Sequence, residues 1–326
     1  MDVKGKLRLA LGSLKDQAAI GKAVISGQNG VAGDMDVAIL RCTDRADAPV
    51  DDKYVHELLF LAGNSPGAVV VLAGKISRRL EATRDGVVAL KTLVLLHRLL
   101  RGGDRRFELS LCDAHAAGDL PLDLRWFPAA SFLRRYAAFL EERMGWGINA
   151  AGSLEPVRPA APPSSGEAVL LLRRLSRCQT LLDRVVNCAP ASNYVTGPDR
   201  LTRSALSIVL RESFRVYASF SEDFHAVRIS SDSGGGGLRG ASARRIAEKA
   251  ATQTPKLRDF YDECKRIIAG KNLDYPYVRI ITAGDLPAAS LGGGSRRPRR
   301  RLLRRRSSCG GWRLRSARSG WPSTTS

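Results

Sequence analysis

Gly235-x-Gly237-x-x-Gly240 has the spacing of a dinucleotide-binding loop, in which glycines let backbone N–H groups approach a pyrophosphate. The context argues against that chemistry. Val227-Arg228-Ile229, just upstream, is too short and polar for a central parallel strand, and no βαβ units surround it. The stretch reads better as low-complexity linker in a Ser/Gly run, Ser230–Gly240. There is no P-loop, no GxSxG elbow and no HExxH zinc motif. His56, His97, His115 and His225 lie in helical runs with no carboxylate or thiol at motif spacing, so packing explains them more cheaply than catalysis. Cys42, Cys112, Cys178, Cys188, Cys264 and Cys309 form no CxxC pair and no zinc spacing, and read as scattered thiols of a reducing compartment. No metal, cofactor or enzymatic activity is expected.

What remains is the chemistry of cations. The 326 residues carry 52 Lys+Arg and 32 Asp+Glu, a formal charge of +20. Eleven of the arginines, and no acid, fall in residues 291–326, so the preceding 290 residues carry only +9. A moderately basic body with a separate arginine-rich tail is not the profile of a uniform nucleic-acid binder. Lys4, Arg8, Lys15 and Lys22 form a stripe beside the apolar Leu7, Leu11, Leu14 and Ala18, with Gly12 and Gly21 weakening the helix that would carry both. Segment 70–110 holds nine basic and four acidic residues. There Lys75, Arg78, Arg79 and Arg84 read mainly as a solvated helix face, with a second membrane-facing patch as the alternative.

These cations need positioning, and the pattern supplies helices. Hydrophobic residues make up 44% of the chain and aromatics only 6%, which favours helix over β-sandwich. Helical periodicity is read at 4–24, from Asp51 onward, at 68–82, 85–101, Phe107–Ala117, Ser131–Met144, Ala168–Cys188, Leu201–Phe224 and Ala243–Gly270, with a break near Pro255. Asp36–Thr43 reads as a short helix or strand. The proline-rich 151–166 and the run 230–240 read as exposed, flexible loops, and periodicity ends after Asp285. The expected fold is all-α: about eight to ten helices in antiparallel pairs stacked into a solenoid. Val87–Leu100 is apolar but interrupted by Lys91, His97 and Arg98, so it cannot span a bilayer. The N-terminus, with Asp2 and no apolar core, is not a signal peptide. Any membrane contact is therefore expected to be peripheral.

The ordered segments "SLKDQAAIGKAV" (13–24), "VAILRCTDRADAPVDDKYVHELL" (37–59), "VVALKTLVLLHRLLRGGDRRF" (87–107), "FLRRYAAFLEERM" (132–144), "LLRRLSRCQTLLDRVVNC" (171–188), "IVLRESFRVYASF" (208–220) and "PKLRDFYDECKRI" (255–267) resemble the ANTH domain of plant clathrin assembly proteins. The resemblance covers about residues 1–285 and leaves 286–326 as a disordered arginine-rich tail. It implies a right-handed superhelical solenoid of the ENTH/ANTH type. It also implies a non-enzymatic endocytic adaptor that binds phosphatidylinositol 4,5-bisphosphate on the cytosolic face and promotes clathrin coat assembly. The implied location is peripheral, at plasma-membrane coated pits and coated vesicles, with the Golgi as a further site. Implied partners are clathrin, the phosphoinositide surface, an adaptor complex and vesicle SNARE helices.

The family's lipid motif is a Lys, a nine-residue gap, then Lys-x-Lys-His at the start of the next helix. Carried over, it falls on Arg41 and on Asp51, Asp52, Lys53 and Tyr54. Arg41, Lys53 and Tyr54 keep basic or hydrogen-bonding character, Asp51 departs from the expected lysine, and Lys22 lies near a further basic position. The expected headgroup site is therefore Lys22, Arg41, Lys53 and Tyr54, with Lys4, Lys6, Arg8 and Lys15 as auxiliary membrane contacts. Residues 1–60 sum to −1, and acids at a helix start compete with an anionic ligand for the same donors, so binding is expected to be weak. Asp119-Leu-Pro-Leu-Asp-Leu124 faintly resembles a clathrin box but lies within the domain, and no such motif follows in 291–326. The tail segment 295–306 fits anionic lipid, RNA or a nuclear address, and also a frame error or retained intron, the reading that the abrupt loss of family character favours. Two other functions compete: a scaffold that binds SNARE helices with weakened lipid binding, and tail-driven nucleic-acid binding, which is not favoured.

Overall fold

The computed structural model describes residues 14, 17–18, 20–21, 30–65, 67–148, 154–157, 166–189, 199–231, 238–268 and 273–282. The chain divides into a unit Met1–Ala288 and a unit Ala289–Ser326, and all described residues belong to the first. The tail, and Lys4, Lys6, Arg8, Lys15 and Lys22, lie outside the described residues.

Nine helices are formed among the described residues: α1 Val31–Cys42, α2 Asp52–Gly63, α3 Ala68–Ala82, α4 Gly86–Gly102, α5 Arg105–Ala117, α6 Phe132–Arg143, α7 Glu167–Asn187, α8 Arg200–Ser231 and α9 Leu238–Ile267. Most starts are legible as caps. Asp51, Asp85, Asp104 and Ser131 each accept a hydrogen bond from a backbone N–H of the first turn, satisfying donors with no partner inside the helix. Through α1–α6, most helices pack on the next and on the next but one, which makes the all-α solenoid. α4 is its axis: twelve of its residues are buried, and it touches α1, α2, α3, α5, α6 and α8.

Four expectations are corrected. Asp36–Thr43 belongs to a longer helix that begins at Val31, because Met35, Ala38, Ile39 and Cys42 bury one helical face. The 151–166 loop is not wholly exposed: Leu154 is buried, and Glu155–Pro156 (β2) pairs antiparallel with Trp146–Gly147 (β1). The 230–240 linker is shorter than expected, since α8 runs to Ser231 and α9 starts at Leu238. Pro255 does not break α9. Ala250 and Leu257 are buried on either side of it, and Gln253 and Thr254 anchor the same turn. Gln253 Nε2 donates to the Gln179 carbonyl at 2.6 Å, and Thr254 Oγ1 to the Ala250 carbonyl at 2.9 Å. Tertiary anchoring outweighs the single hydrogen bond that proline removes.

The core also encloses an ionic network. Arg143 of α6, fully buried, donates to Glu108 of α5 at 2.7 Å, to Glu212 of α8 at 2.9 Å and to the Trp146 carbonyl at 2.7 Å. Glu108 also accepts the Ile148 N–H at 3.0 Å. His97 of α4 sits 3.0 Å from Glu212 and makes a 2.8 Å contact to the Tyr136 hydroxyl. Burial holds His97 below its ordinary pKa, although Glu212 opposes the shift. Burial would raise Glu212, but Arg143 and then His97 outweigh it and hold the carboxyl well below its usual range.

Candidate functional site

The site begins with the connection between α1 and α2. Residues 43–51 have little apolar content of their own, yet the loop is fixed from behind. The Thr43 side chain donates to the Ile39 carbonyl at 2.7 Å. Arg79 of α3 donates to the Thr43 hydroxyl and carbonyl at 2.9 and 2.8 Å. Lys91 of α4, almost wholly buried, pairs with Asp44. Arg45 pairs with Asp85 at 3.2 Å. Arg98 of α4 donates to the Val50 carbonyl at 2.7 Å and pairs with Asp52. Val50 itself is buried. Burial lowers the Arg98 pKa, with neighbouring Cys42 and Asp51 opposing the shift.

This loop brings Arg41, in the last turn of α1, to Lys53, in the first turn of α2. The Arg41 guanidinium lies 5.7 Å from the centre of the half-buried Tyr54 ring, and the Lys53 ammonium lies 5.7 Å from it as well. Both are at cation–π distance from one aromatic ring. Both cations are exposed, and neither has an ion-pair partner among the described residues. Three of the four expected headgroup residues therefore converge, while Lys22 lies outside the described residues.

The two acids have separate fates. Asp51 is the N-cap of α2 and accepts the Lys53 N–H at 2.9 Å, so that donor is already occupied. Asp52 is neutralised by Arg98. Asp36 is paired with Lys75 at 2.5 Å, and Asp44 with Lys91. Counting Lys75, Lys91, Arg98 and Asp85 with the residues they pair to turns the −1 of residues 1–60 into +1. These cations come from α3 and α4, which no count over a contiguous window includes.

The same contacts correct the solvated-face reading at Lys75, while Arg78 and Arg84 stay exposed. Lys75 is buried against Asp36, and Arg79 is held by Thr43. Arg78 and Arg84 bond main-chain carbonyls, and Arg84 stacks 4.0 Å over the Trp126 ring. The clathrin-box-like segment is not displayed either, because Leu120, Leu122 and Leu124 are buried.

Other chemistry is weak. Burial pushes the thiols of Cys42, Cys112, Cys178, Cys188 and Cys264 up to about 12, so none is a ready thiolate. No described helix is long and apolar enough to cross a membrane. A groove of about 520 Å³ lies between α7 and α9, with Val169, Leu172 and Ile246 on its floor and Arg173, Arg245 and Lys249 around it.

A family model for the ANTH domain matches residues 34–288, a span that includes the α1–α2 loop and all nine helices except the first three residues of α1. The chain belongs to the ANTH domain family. The ANTH domain here is similar to three proteins of Arabidopsis thaliana. The one named "Putative clathrin assembly protein At1g33340" is 39% identical over 307 residues, covering 88% of this chain and 79% of the relative. The one named "Putative clathrin assembly protein At4g02650" is 28% identical over 85% of this chain and 51% of the relative. "Clathrin coat assembly protein AP180" is 28% identical over 85% of this chain and 48% of the relative. The chain thus spans about half the length of the last two.

Proposed function

We propose that this chain is a non-enzymatic, peripheral endocytic adaptor. It binds phosphatidylinositol 4,5-bisphosphate at the cytosolic membrane face and promotes clathrin coat assembly at coated pits. Arg41, Lys53 and Tyr54, with Lys22, receive the headgroup. The observation behind this proposal is the meeting of two exposed cations, without ion-pair partners among the described residues, at one aromatic ring on a loop fixed from behind. Phosphate oxygens need exposed donors that are not already neutralised, and a fixed loop removes the ordering cost of assembling them. The names of the relatives support the coat role.

The test reconstitutes the full chain with clathrin on phosphatidylcholine vesicles, with and without the phosphoinositide. Clathrin that sediments only when both the chain and the phosphoinositide are present supports the proposal. Clathrin that ignores either component refutes it. A graded check comes from Asp51→Asn, which keeps a good capping acceptor and removes one negative charge beside the site. Its vesicle affinity is expected to rise about fivefold, from about 1 kcal/mol per charge at an anionic surface, with a melting curve close to wild type.

A second reading rests on the α7–α9 groove. Its apolar floor and basic rim suit an amphipathic helix with acidic flanks, such as a vesicle SNARE helix. Val169→Glu, half-buried on the groove floor, separates the two, because it would abolish helix-peptide binding and leave vesicle binding unchanged.

A further inference from the structure

Four of the described exposed large apolar side chains gather at one end of the first three helices. Val31 opens α1, Phe60 lies one turn before the end of α2, and Val70 and Val71 lie in the first turn of α3. Consecutive helices joined by short connections run back along each other, and α1–α2 and α2–α3 are packed pairs. The start of α1, the end of α2 and the start of α3 therefore share one end, opposite the Arg41–Lys53 loop. Phe60 has 70% of its surface exposed, Val70 47% and Val71 44%.

Phe60 is not merely a frayed position. At about 100° per residue, it falls roughly 20° from Lys53 around the axis of α2 and about 10 Å further along. The buried stripe of Val55, Leu58 and Ala62 occupies the opposite side. The exposed His56 lies between them on the same outward face. A plane laid against the outside of α2 touches Lys53, His56 and Phe60 together.

We propose that Phe60, flanked by Val70 and Val71, inserts into the acyl boundary of the bilayer while Lys53 holds a phosphate headgroup about 10 Å along the same helix face. This rests on the membrane reading above for its choice of partner, and it adds an apolar wedge to a site described so far only by charge. A bilayer fits this surface better than a protein does. The wedge projects from a helix-hairpin tip, and it continues the line of the cationic site. On that one face the Lys53 ammonium reaches headgroup phosphates while the Phe60 ring beside it dips toward the acyl chains.

The test uses the full chain and phosphatidylcholine vesicles containing a minor fraction of phosphatidylinositol 4,5-bisphosphate. In Phe60→Trp, the new fluorescence relative to wild type is expected to shift blue and to be quenched by brominated acyl chains. In Phe60→Ser, vesicle affinity is expected to fall about tenfold, the effect of exposing rather than burying one large apolar side chain, while affinity for soluble inositol trisphosphate stays at the wild-type value. If the new fluorescence of Phe60→Trp stays unquenched on sedimenting vesicles, the proposal is overturned, and so it is by a Phe60→Ser variant that keeps full vesicle affinity. Loss of a protein partner in Phe60→Ser with vesicle binding intact also overturns it, in favour of a protein surface. Adding Arg41→Glu and Lys53→Glu to Phe60→Trp separates the two sites. If trisphosphate binding is abolished and the indole stays quenched in the fraction that still sediments with vesicles, the wedge stands apart from the headgroup site. If trisphosphate binding survives, the headgroup assignment fails and the quenching still decides the wedge.

Discussion

Arg143→Leu is expected to lower the unfolding free energy by roughly 3–5 kcal/mol, the cost of breaking a buried ion network by removing one partner. The guanidinium has no solvent exposure, and it is the common partner of Glu108, Glu212 and the Trp146 carbonyl. Burial disfavours its charge, but Glu212 and Glu108 outweigh burial and keep it protonated. Leucine fills part of the space yet leaves two carboxylates desolvated, with His97 3.0 Å from one of them. A carboxylate or His97 must then take up a proton, or water must enter, and each route costs free energy. Urea unfolding measures the loss, and a change under about 1 kcal/mol would contradict the account. A compensated variant sharpens it. Glu108→Gln, Arg143→Met and Glu212→Gln together remove all three charges and are expected to recover most of the loss. Because α5, α6 and α8 all contribute, the transition should remain a single cooperative step in wild type.

Arg41→Glu combined with Lys53→Glu is expected to reduce affinity for phosphoinositide vesicles by a hundredfold or more. Each juxtamembrane cation contributes about 1 kcal/mol near an anionic surface, and reversing its sign roughly doubles the change. The neutral pair Arg41→Ala with Lys53→Ala is expected to lose less, roughly thirtyfold. The gradation from neutral to reversed charge separates electrostatic recognition from misfolding, which would affect both pairs alike. Both residues are exposed, and their contacts to the Tyr54 ring are worth only about 0.5–1 kcal/mol each, so melting temperature should move little. Co-sedimentation at low and physiological salt reads both the affinity and its ionic-strength dependence. Unchanged binding of the reversed pair would remove Arg41 and Lys53 from the site.

Much of the fold was legible because its signals are local. Apolar residues at helical spacing from Asp51, from 85 and from Phe107 place three helix starts to within two residues of their observed positions, which Asp51, Asp85 and Asp104 cap. Pro255 misled because its cost is local while its compensation, through Gln253 and Gln179, spans two distant helices. The site was half legible for the same reason. Arg41, Lys53 and Tyr54 were placed by resemblance, and they meet at one ring. What disposes of Asp52 and Asp44 is Arg98 and Lys91, more than forty residues away in the chain. Lys91, His97 and Arg98 interrupt an apolar run and so argued against a membrane span. In the fold each has a specific partner: Asp44, Glu212 and Asp52. His56 and Phe60 carried no signal, because a helical pattern marks what is buried and treats the outer face as interchangeable.

The fixed loop between α1 and α2 has a thermodynamic signature. Thr43, Asp44, Val50 and Asp52 are already held by α3 and α4, so an arriving anion finds nothing to fold. Association should therefore proceed at an encounter-limited rate that rises steeply as salt is lowered. Calorimetry on a soluble headgroup should show a small heat-capacity change, since little apolar area is buried and no segment is ordered. Any larger heat-capacity change on intact vesicles would then measure apolar surface leaving water beyond the headgroup layer.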